Sequence, residues 1–342
     1  MSGSHRRKPR RSLSLLSLLA AAGLGLATVP ANASPVMPPP PRDAASAAAQ
    51  VGPQIVDIDA KLGYQSAVGA GTGIVIDPSV ILTNNHVVAG ATDLTARSIA
   101  NGQTFPASVI GFDRQHDIAV LQLAGGGLPA ANIGNSDGIS VGEPVVSLGN
   151  AGGVGGAPSV EPGRVAALNQ TVSANDALTG STETLVGLIQ IDANIRPGDS
   201  GGPTVNSANQ VIGMNTAASQ NFHLGRGQGF AIPINEAMAI AGQIRAGASS
   251  PSVHIGPTAF LGVGVNDAPG GGGAIVRQVI PTGPAAAAGL APGDVVTAIN
   301  GQPVNSATAL TNILDQHHPG DHVSVGLRGR DIDVQLGDGP PG

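Results

Sequence analysis

One glycine-rich segment around a serine carries the strongest chemical signal in the sequence. It spans Pro197 to Pro203 and reads PGDSGGP. Glycines on both sides of Ser200 allow a backbone turn that residues with a Cβ atom resist. Such a turn exposes the serine oxygen and points successive backbone N–H groups into one pocket, which is what an oxyanion requires. Most Gly-Ser pairs are simply solvated loops, but the whole pattern favours a nucleophilic serine.

Two further segments offer groups that activate a serine. His86 comes shortly after the apolar run Val80 to Thr83, so the end of a strand can hold its imidazole in place. Asp117 opens a long apolar run, where burial would shield a carboxylate that orients that imidazole. Each residue alone is more simply a packed histidine or a turn aspartate. Asp113 and Asp93 compete for the role of the acid, but neither opens a long apolar strand.

The composition excludes several other kinds of chemistry. Among 342 residues there is no Cys, which rules out disulfides, thiolate nucleophiles and Cys-ligated metals. Aromatic residues make up 2%, so no stacking platform for single-stranded nucleic acid is available. Five of the 16 basic residues lie in the first eleven positions, and the rest of the chain is acidic. The protein is therefore a poor candidate for binding nucleic acid.

The N-terminus has the three regions of an export signal. A basic stretch, His5 to Arg11, precedes the apolar run Leu13 to Val29, and Ala31 to Ala33 supplies small residues for a signal peptidase. We interpret residues 1–33 as a cleaved signal peptide; the alternative is a membrane anchor at the short end of the spanning length. Residues 34–50 are rich in Pro and Ala and are expected to form an extended, solvated arm.

The remaining chain divides into two parts. Short β-type segments recur from Val51 to Ile232 without intervening helices, which predicts an antiparallel sandwich or barrel, and a helix follows over Asn235 to Arg245. Residues 246–257 are a predicted linker, and residues 258–338 have an α+β pattern. The segments predicted in this second part are a strand (Phe260 to Val265), a short helix ending at Gly289, a strand (Val295 to Asn300), a helix (Ser306 to His317) and a strand (His322 to Leu327).

In combination these motifs resemble the HtrA (DegP-like) family of exported serine proteases. The order His86, Asp117, Ser200 is that of chymotrypsin-type proteases and not of α/β-hydrolases or subtilisins. Phe260-Leu261-Gly262-Val263 resembles the carboxylate-binding loop of a PDZ domain. The resemblance implies an all-β, chymotrypsin-like double β-barrel protease domain over residues 51–245, followed by a small α+β PDZ domain over residues 258–338.

The resemblance also implies catalytic roles. His86 is the general base, Asp117 orients it, and Ser200 attacks the peptide carbonyl. The backbone N–H groups of Gly198, Asp199 and Ser200 form the oxyanion hole, and no metal or organic cofactor is required. In the family the residue before the nucleophile is commonly Asn, whereas here it is Asp199. If buried, this carboxylate needs a cation or several N–H donors, and we expect Arg196 or Arg226 to provide one.

Substrate contacts are predicted at two places. Asn194 takes the position where trypsin-like relatives carry an acid, so its neutrality argues against a basic P1 residue. The substrate pocket is expected to be small and apolar, and its predicted residues are Asn194, Ile195, Met214, Asn215 and Thr216. The PDZ-like part is expected to bind peptide C-termini or extended segments through Phe260, Leu261, Gly262 and Val263 by strand addition.

The sequence therefore predicts an exported endopeptidase, secreted or located in the cell envelope, that hydrolyses misfolded or envelope proteins. The alternative is a latent protease that acts mainly as a peptide-binding chaperone or scaffold. The expected partners are unfolded proteins and peptides, with no nucleic acid, and the family resemblance adds a possible homotrimer.

Overall fold

The first barrel is built from six antiparallel strands early in the chain. The computed structural model describes residues 44–175, 182–216 and 228–341. The strand order β5-β4-β1-β2-β3-β6 is closed by pairing of β5 with β6. The strands are β1 (Ile55–Leu62), β2 (Ala67–Asp77), β3 (Val80–Thr83), β4 (Asp93–Ser98), β5 (Thr104–Asp113) and β6 (Ile118–Leu123).

A second six-stranded barrel follows and is closed in the order β10-β11-β12-β9-β8-β7. Its strands are β7 (Pro144–Gly149), β8 (Ser159–Asn175), β9 (Thr182–Ile191), β10 (Pro203–Val205), β11 (Val211–Thr216) and β12 (Gly229–Pro233). Helix α3 (Ile234–Arg245) then packs its apolar face, including Ala237, Ala241 and Ile244, into the core. The expected double β-barrel is confirmed.

The C-terminal domain is the predicted α+β unit. One sheet has the order β15-β16-β17-β19-β20, with β18 paired to β17, and β14 pairs with β21. Its elements are β14 (Thr258–Phe260), β15 (Val263–Asp267), β16 (Ala274–Val279), α4 (Pro284–Ala287), β17 (Val295–Ile299), β18 (Gln302–Pro303), α5 (Ala307–Leu314), β19 (His322–Leu327), β20 (Arg330–Gln335) and β21 (Gly337–Gly339). Ser306 caps α5, as its hydroxyl accepts a hydrogen bond from the Ala309 N–H.

Aliphatic side chains fill the interiors, as a chain without Trp and with five Phe requires. One cluster fills the first barrel around Ile58, Ile81 and Leu121, and another fills the second barrel around Val145, Ile189 and Ile212. A third joins the two barrels and includes Leu82 and Leu148. The facing surfaces of the barrels are therefore held together by apolar packing, and the candidate catalytic residues lie at this junction.

The structure differs from the sequence-based expectation in the predicted arm. Helix α1 (Ala44–Val51) replaces its last part, so the chain there is neither extended nor fully solvated. Alanine has the highest intrinsic helix propensity, and this segment has five alanines in its eight residues. Ala47 and Val51, four residues apart, lie on one helix face and are buried against the core.

The predicted linker contains a strand. Strand β13 (Val253–Ile255) pairs with the edge of β5 in the first barrel. Gly111 on β5 makes this possible, because a Cβ atom there would lie 2.5 Å from the carbonyl oxygen of His254. The predicted strand Phe260 to Val265 is also interrupted, since Gly262 has φ of +83° and separates β14 from β15.

The predicted signal peptide and most of the predicted arm lie outside the described residues. Within the residues that are described, no helix has both the length and the apolar character needed to cross a membrane.

Candidate active site

His86 and Asp117 form a close pair on the first barrel. His86 lies on the one-turn helix α2 (Asn85–Val88) that directly follows β3, and Asp117 immediately precedes β6. Because β3 and β6 are neighbours, the two residues meet at the same end of the barrel. The Nδ1 atom of His86 lies 2.9 Å from Oδ2 and 3.0 Å from Oδ1 of Asp117. This arrangement lets the carboxylate orient the imidazole.

Several donors hold Asp117 in position. Its backbone has φ of +56°, a conformation that Asp and Asn tolerate better than most residues. Its carboxylate accepts hydrogen bonds from the His86 backbone N–H at 3.0 Å and from the Thr216 hydroxyl at 3.2 Å. Asn84 donates to its carbonyl oxygen at 3.1 Å. The side chain is buried, so these bonds replace the water that an ionised carboxylate would otherwise bind.

Ser200 lies in a turn between the two barrels. Its carbonyl oxygen accepts a hydrogen bond from the Thr72 N–H of β2 at 2.8 Å, and the neighbouring Gly201 N–H donates to the Asn215 carbonyl of β11 at 2.9 Å. Thr216, next to Asn215, is the residue that bonds Asp117. The serine turn and Asp117 are thus hydrogen-bonded to neighbouring residues of one strand, β11 of the second barrel.

The turn depends on glycine at two positions. Gly198 has φ of +97°, and a Cβ atom there would lie 2.1 Å from the Asn150 carbonyl oxygen. Gly201 has φ of +82°, and its Cβ atom would lie 2.0 Å from the Thr72 carbonyl oxygen. Real Cβ atoms do not approach this closely, so any other residue would move the backbone around Ser200.

The three predicted oxyanion donors are not equivalent. The Asp199 N–H donates to the Arg196 carbonyl oxygen at 2.9 Å, so it is already used inside the turn. This contradicts its predicted contribution to the oxyanion hole, and the physical reason is the tight turn that brings Arg196 back onto Asp199. The N–H groups of Gly198 and Ser200 remain the candidate donors.

Asp199 is buried and bonded mainly by uncharged groups. The Ser159 hydroxyl donates to its Oδ1 atom at 2.5 Å, and the Arg196 backbone N–H donates to its Oδ2 atom at 2.9 Å. The Arg196 guanidinium is 4.0 Å away and makes a closer pair with Glu161 at 2.8 Å. Burial raises the pKa of Asp199, opposed first by Ser159 and then by the Arg196 N–H and charge. Arg226, the other predicted partner, lies outside the described residues.

The predicted substrate-pocket residues face different environments. Asn194 is exposed, whereas Ile195 packs in the core of the second barrel. The Asn215 amide donates to the Leu148 carbonyl and accepts from Thr204, and Thr216 contacts Asp117. Met214 also belongs to the core. The buried side chains of Met214 and Asn215 thus do not line an open pocket, because they pack and hydrogen-bond inside the barrel. The small, apolar P1 preference stays a prediction.

The predicted peptide-binding residues lie at the start of the C-terminal domain. The carbonyl oxygens of Leu261 and Gly262 accept hydrogen bonds from the N–H groups of Ala285 and Ile280, both at 2.9 Å. These bonds fix the loop against α4 and the segment before it. Strand β15, which contains Val263, is an edge strand of its sheet. Phe260 stacks on Tyr64 of the first barrel with ring centroids 5.1 Å apart.

Comparisons with known proteins define the class to which this architecture belongs. Residues 71–214 match the model of a trypsin-like peptidase domain, and residues 259–335 match that of a PDZ domain. Together with the double barrel, these matches define a trypsin-like serine protease joined to one PDZ domain.

Sequence comparisons that span most of this chain identify the family within this class. The chain is 36% identical to serine protease PepD of Mycobacterium tuberculosis over 93% of this chain and 72% of that protein. It is 34% identical to the periplasmic serine endoprotease DegP of Salmonella typhimurium over 80% of this chain and 57% of that protein. The chain belongs to the HtrA family of serine proteases.

Solved structures lead to the same family. The HtrA-type protease AlgW, solved with a tripeptide, is 29% identical, with a TM-score of 0.52 over 88% of this chain and 98% of that one. The chain spans 72% of the length of PepD and 50% of the length of the DegP-like protein of Pseudomonas savastanoi.

Sequence reasoning did not find Thr216 as a partner of Asp117. All six residues of β11 are buried, so the alternation that would show which side chains point toward Asp117 is absent. A hydroxyl residue close after the serine turn is the only signal that the sequence offered.

Proposed function

We propose that this protein is an exported endopeptidase that hydrolyses peptide bonds through His86, Asp117 and Ser200. The observation that carries the proposal is the His86–Asp117 pair at 2.9 Å, in which Asp117 bonds Thr216 of β11, the strand that also bonds the serine turn. Periplasmic relatives support an exported or envelope location, and misfolded or envelope proteins are the proposed substrates.

The geometry around His86 supports the following proton transfers. With its Nδ1–H donated to Asp117, the imidazole offers Nε2 as the acceptor for the proton of the Ser200 hydroxyl. The serine oxygen then attacks the substrate carbonyl, and the N–H groups of Gly198 and Ser200 stabilise the oxyanion. The imidazolium returns the proton to the leaving amine, and water hydrolyses the acyl-enzyme by the same route.

A PDZ domain and protease relatives support binding of peptides or proteins at the C-terminal domain. The proposed mode is strand addition, in which an extended peptide pairs with the edge of β15 and its terminal carboxylate meets the N–H groups around Leu261 and Gly262. Gly262 allows close approach, because its φ of +83° turns the loop sharply and it carries no side chain.

The proposed protease function is tested by covalent labelling. A fluorophosphonate probe is expected to modify the folded protein at Ser200, as mapped by peptide mass spectrometry, and to leave Ser200→Ala unlabelled. Hydrolysis of unfolded casein should be lost in the same variant. A folded native protein that takes no label, hydrolyses no casein and still binds unfolded peptides would contradict the proposal and favour the chaperone or scaffold.

Peptide binding at the PDZ domain is tested with matched peptides. A peptide with a free C-terminus is expected to bind roughly ten- to a hundredfold more tightly than the same peptide with a C-terminal amide, because a charge-assisted hydrogen bond is lost. Fluorescence anisotropy with Ser200→Ala measures this difference without cleavage. Gly262→Ala should remove it, whereas Gly289→Ala, also at positive φ but with open space around it, should not. Equal affinity of the two peptides would contradict carboxylate recognition.

A further inference from the structure

Asp57 is a buried acid on a strand of the first barrel. It lies in β1 between Val56 and Ile58 and is 3% exposed. In the antiparallel register it stands opposite Thr72 on β2 and Arg97 on β4, so the three side chains share one face of the sheet. Its Oδ2 atom has no hydrogen-bond partner among the described residues. A carboxylate in this position is costly to fold and is not needed for packing.

A glycine-rich loop of the second barrel covers this face. The loop contains the 3-10 helix Ala151–Gly153 and continues to Gly156. A Cβ atom on Gly155 would lie 3.4 Å from Asp57 Oδ2 and 3.2 Å from an Arg97 nitrogen, so Gly155 lies directly against both side chains.

The same loop packs against the oxyanion turn. Asn150 accepts a hydrogen bond from the Gly155 N–H at 2.8 Å, and its own N–H donates to the Thr72 hydroxyl at 2.9 Å. That hydroxyl donates to the Gly198 carbonyl oxygen at 2.8 Å. In addition, the Gly152 N–H donates to the Pro197 carbonyl at 2.8 Å. The loop that covers Asp57 is therefore linked by hydrogen bonds, through Asn150 and the Thr72 hydroxyl, to Gly198.

We propose that Asp57 is a positioning residue for the oxyanion turn, and that its ionised carboxylate holds the loop 150–156 in the arrangement that orients the Gly198 N–H. This inference rests on the proposed protease function, because the turn matters only for a reaction at Ser200. Asp57 does not touch the substrate and acts through the loop.

The charged groups around Asp57 determine when it ionises. Burial is the main influence and raises its pKa to about 6. Arg97 on β4 lowers the pKa, Asp59 on the same strand raises it, and the covering loop contributes the Gly156 N–H, which lowers it. Below this pH the protonated carboxyl attracts Arg97 and the Gly156 N–H more weakly. Activity is therefore expected to fall as the pH drops through about 6.

The effect on stability has the opposite sign. Because the pKa is higher in the folded protein than the ordinary value of 3.8, the fold binds this proton more tightly than the unfolded chain does. The ionised carboxylate thus destabilises the fold above about pH 6, and protonation relieves that cost as the pH falls. Asp57→Asn, which is neutral and nearly isosteric, should therefore raise Tm at pH 7.5 while lowering activity.

The test is a pH series of casein hydrolysis with native protein, Asp57→Asn and Asp59→Asn. Asp57→Asn is expected to lower kcat by about ten- to a hundredfold at pH 7.5 with little change in KM, as small misplacements of catalytic groups do. The acid limb of log(kcat/KM) should be less steep by one proton in Asp57→Asn than in the native protein, because the variant lacks the titration of Asp57. Asp59→Asn should keep full activity and move the limb to lower pH.

A readout without catalysis separates this inference from the proposed function. In Ser200→Ala, hydrogen exchange measured by mass spectrometry and corrected for the intrinsic rate should speed up below pH 6 in residues 150–156 and 197–201. Asp57→Asn in that background should exchange rapidly at pH 7.5 as well. If the protease is active but Asp57→Asn leaves kcat, the acid limb and exchange unchanged, the inference is wrong and the protease function stands. If native protein neither takes the label nor hydrolyses casein, the proposed function is wrong. The hydrogen-exchange rates then decide by themselves whether ionisation of Asp57 controls the loop 150–156 and the serine turn.

Discussion

Asp117→Asn is expected to lower kcat for peptide hydrolysis by about 10⁴-fold, as loss of this carboxylate does in the serine-protease template. The Asp117 oxygens accept hydrogen bonds from the His86 backbone N–H and from Thr216. If the Asn oxygen keeps one of these bonds, its NH₂ group faces the imidazole as a donor. His86 then carries its proton on Nε2 and cannot accept the proton of Ser200.

The fold should survive this substitution, because Asn is similar in size and tolerates the φ of +56° at this position. KM should change little, so the loss appears in kcat and in the fluorophosphonate labelling rate. Asp113→Asn is the matched control, since Asp113 is a buried acid of the same barrel that bonds Ser252 and His116 instead. Activity of Asp117→Asn within tenfold of the native value, with Asp113→Asn strongly impaired, would reassign the acid.

The barrels and the candidate triad could be predicted because their signals are local. Apolar segments bounded by Gly, Asn and Asp predicted the strands. His86 and Asp117 lie next to the segments that form β3 and β6. The short strand β13 could not be found in this way, because three residues among Ser, Pro and Gly carry no periodicity. It forms only because Gly111 leaves space at the edge of β5.

The surroundings of the site were harder to predict, because they depend on contacts between distant segments. Asp57 and Asp59 alternate with Val56 and Ile58 in a pattern that is typical of a half-exposed strand. Only the loop 150–156, almost a hundred residues later in the chain, buries Asp57 and leaves Asp59 exposed. The use of the Asp199 N–H inside the turn likewise follows from backbone geometry that residue types do not specify.

Gly198→Ala is expected to lower kcat by at least about 10²–10³-fold, the usual cost of losing one oxyanion donor. The added Cβ atom would lie 2.1 Å from the Asn150 carbonyl oxygen and about 3 Å from the N–H groups of the loop above it. The clashing atoms belong to the backbone and cannot move aside as the end of a flexible side chain can. The turn must therefore change its backbone conformation, and the Gly198 N–H no longer points toward the oxyanion. The His86–Asp117 pair lies on the other barrel and should be unaffected.

Strain at positive φ must be separated from this clash. Gly142→Ala is the matched control, because Gly142 has φ of +89° in the same domain with open space around its Cβ position. Both variants should lose stability in thermal unfolding, Gly198→Ala the more because its clash adds to the strain, while only Gly198→Ala loses kcat. Fluorophosphonate labelling should slow in parallel with hydrolysis, because the tetrahedral phosphonate oxygen uses the same donors. If Gly198→Ala labels and hydrolyses at the rate of Gly142→Ala, the Gly198 N–H is not an oxyanion donor, and stabilisation must come from elsewhere around Ser200.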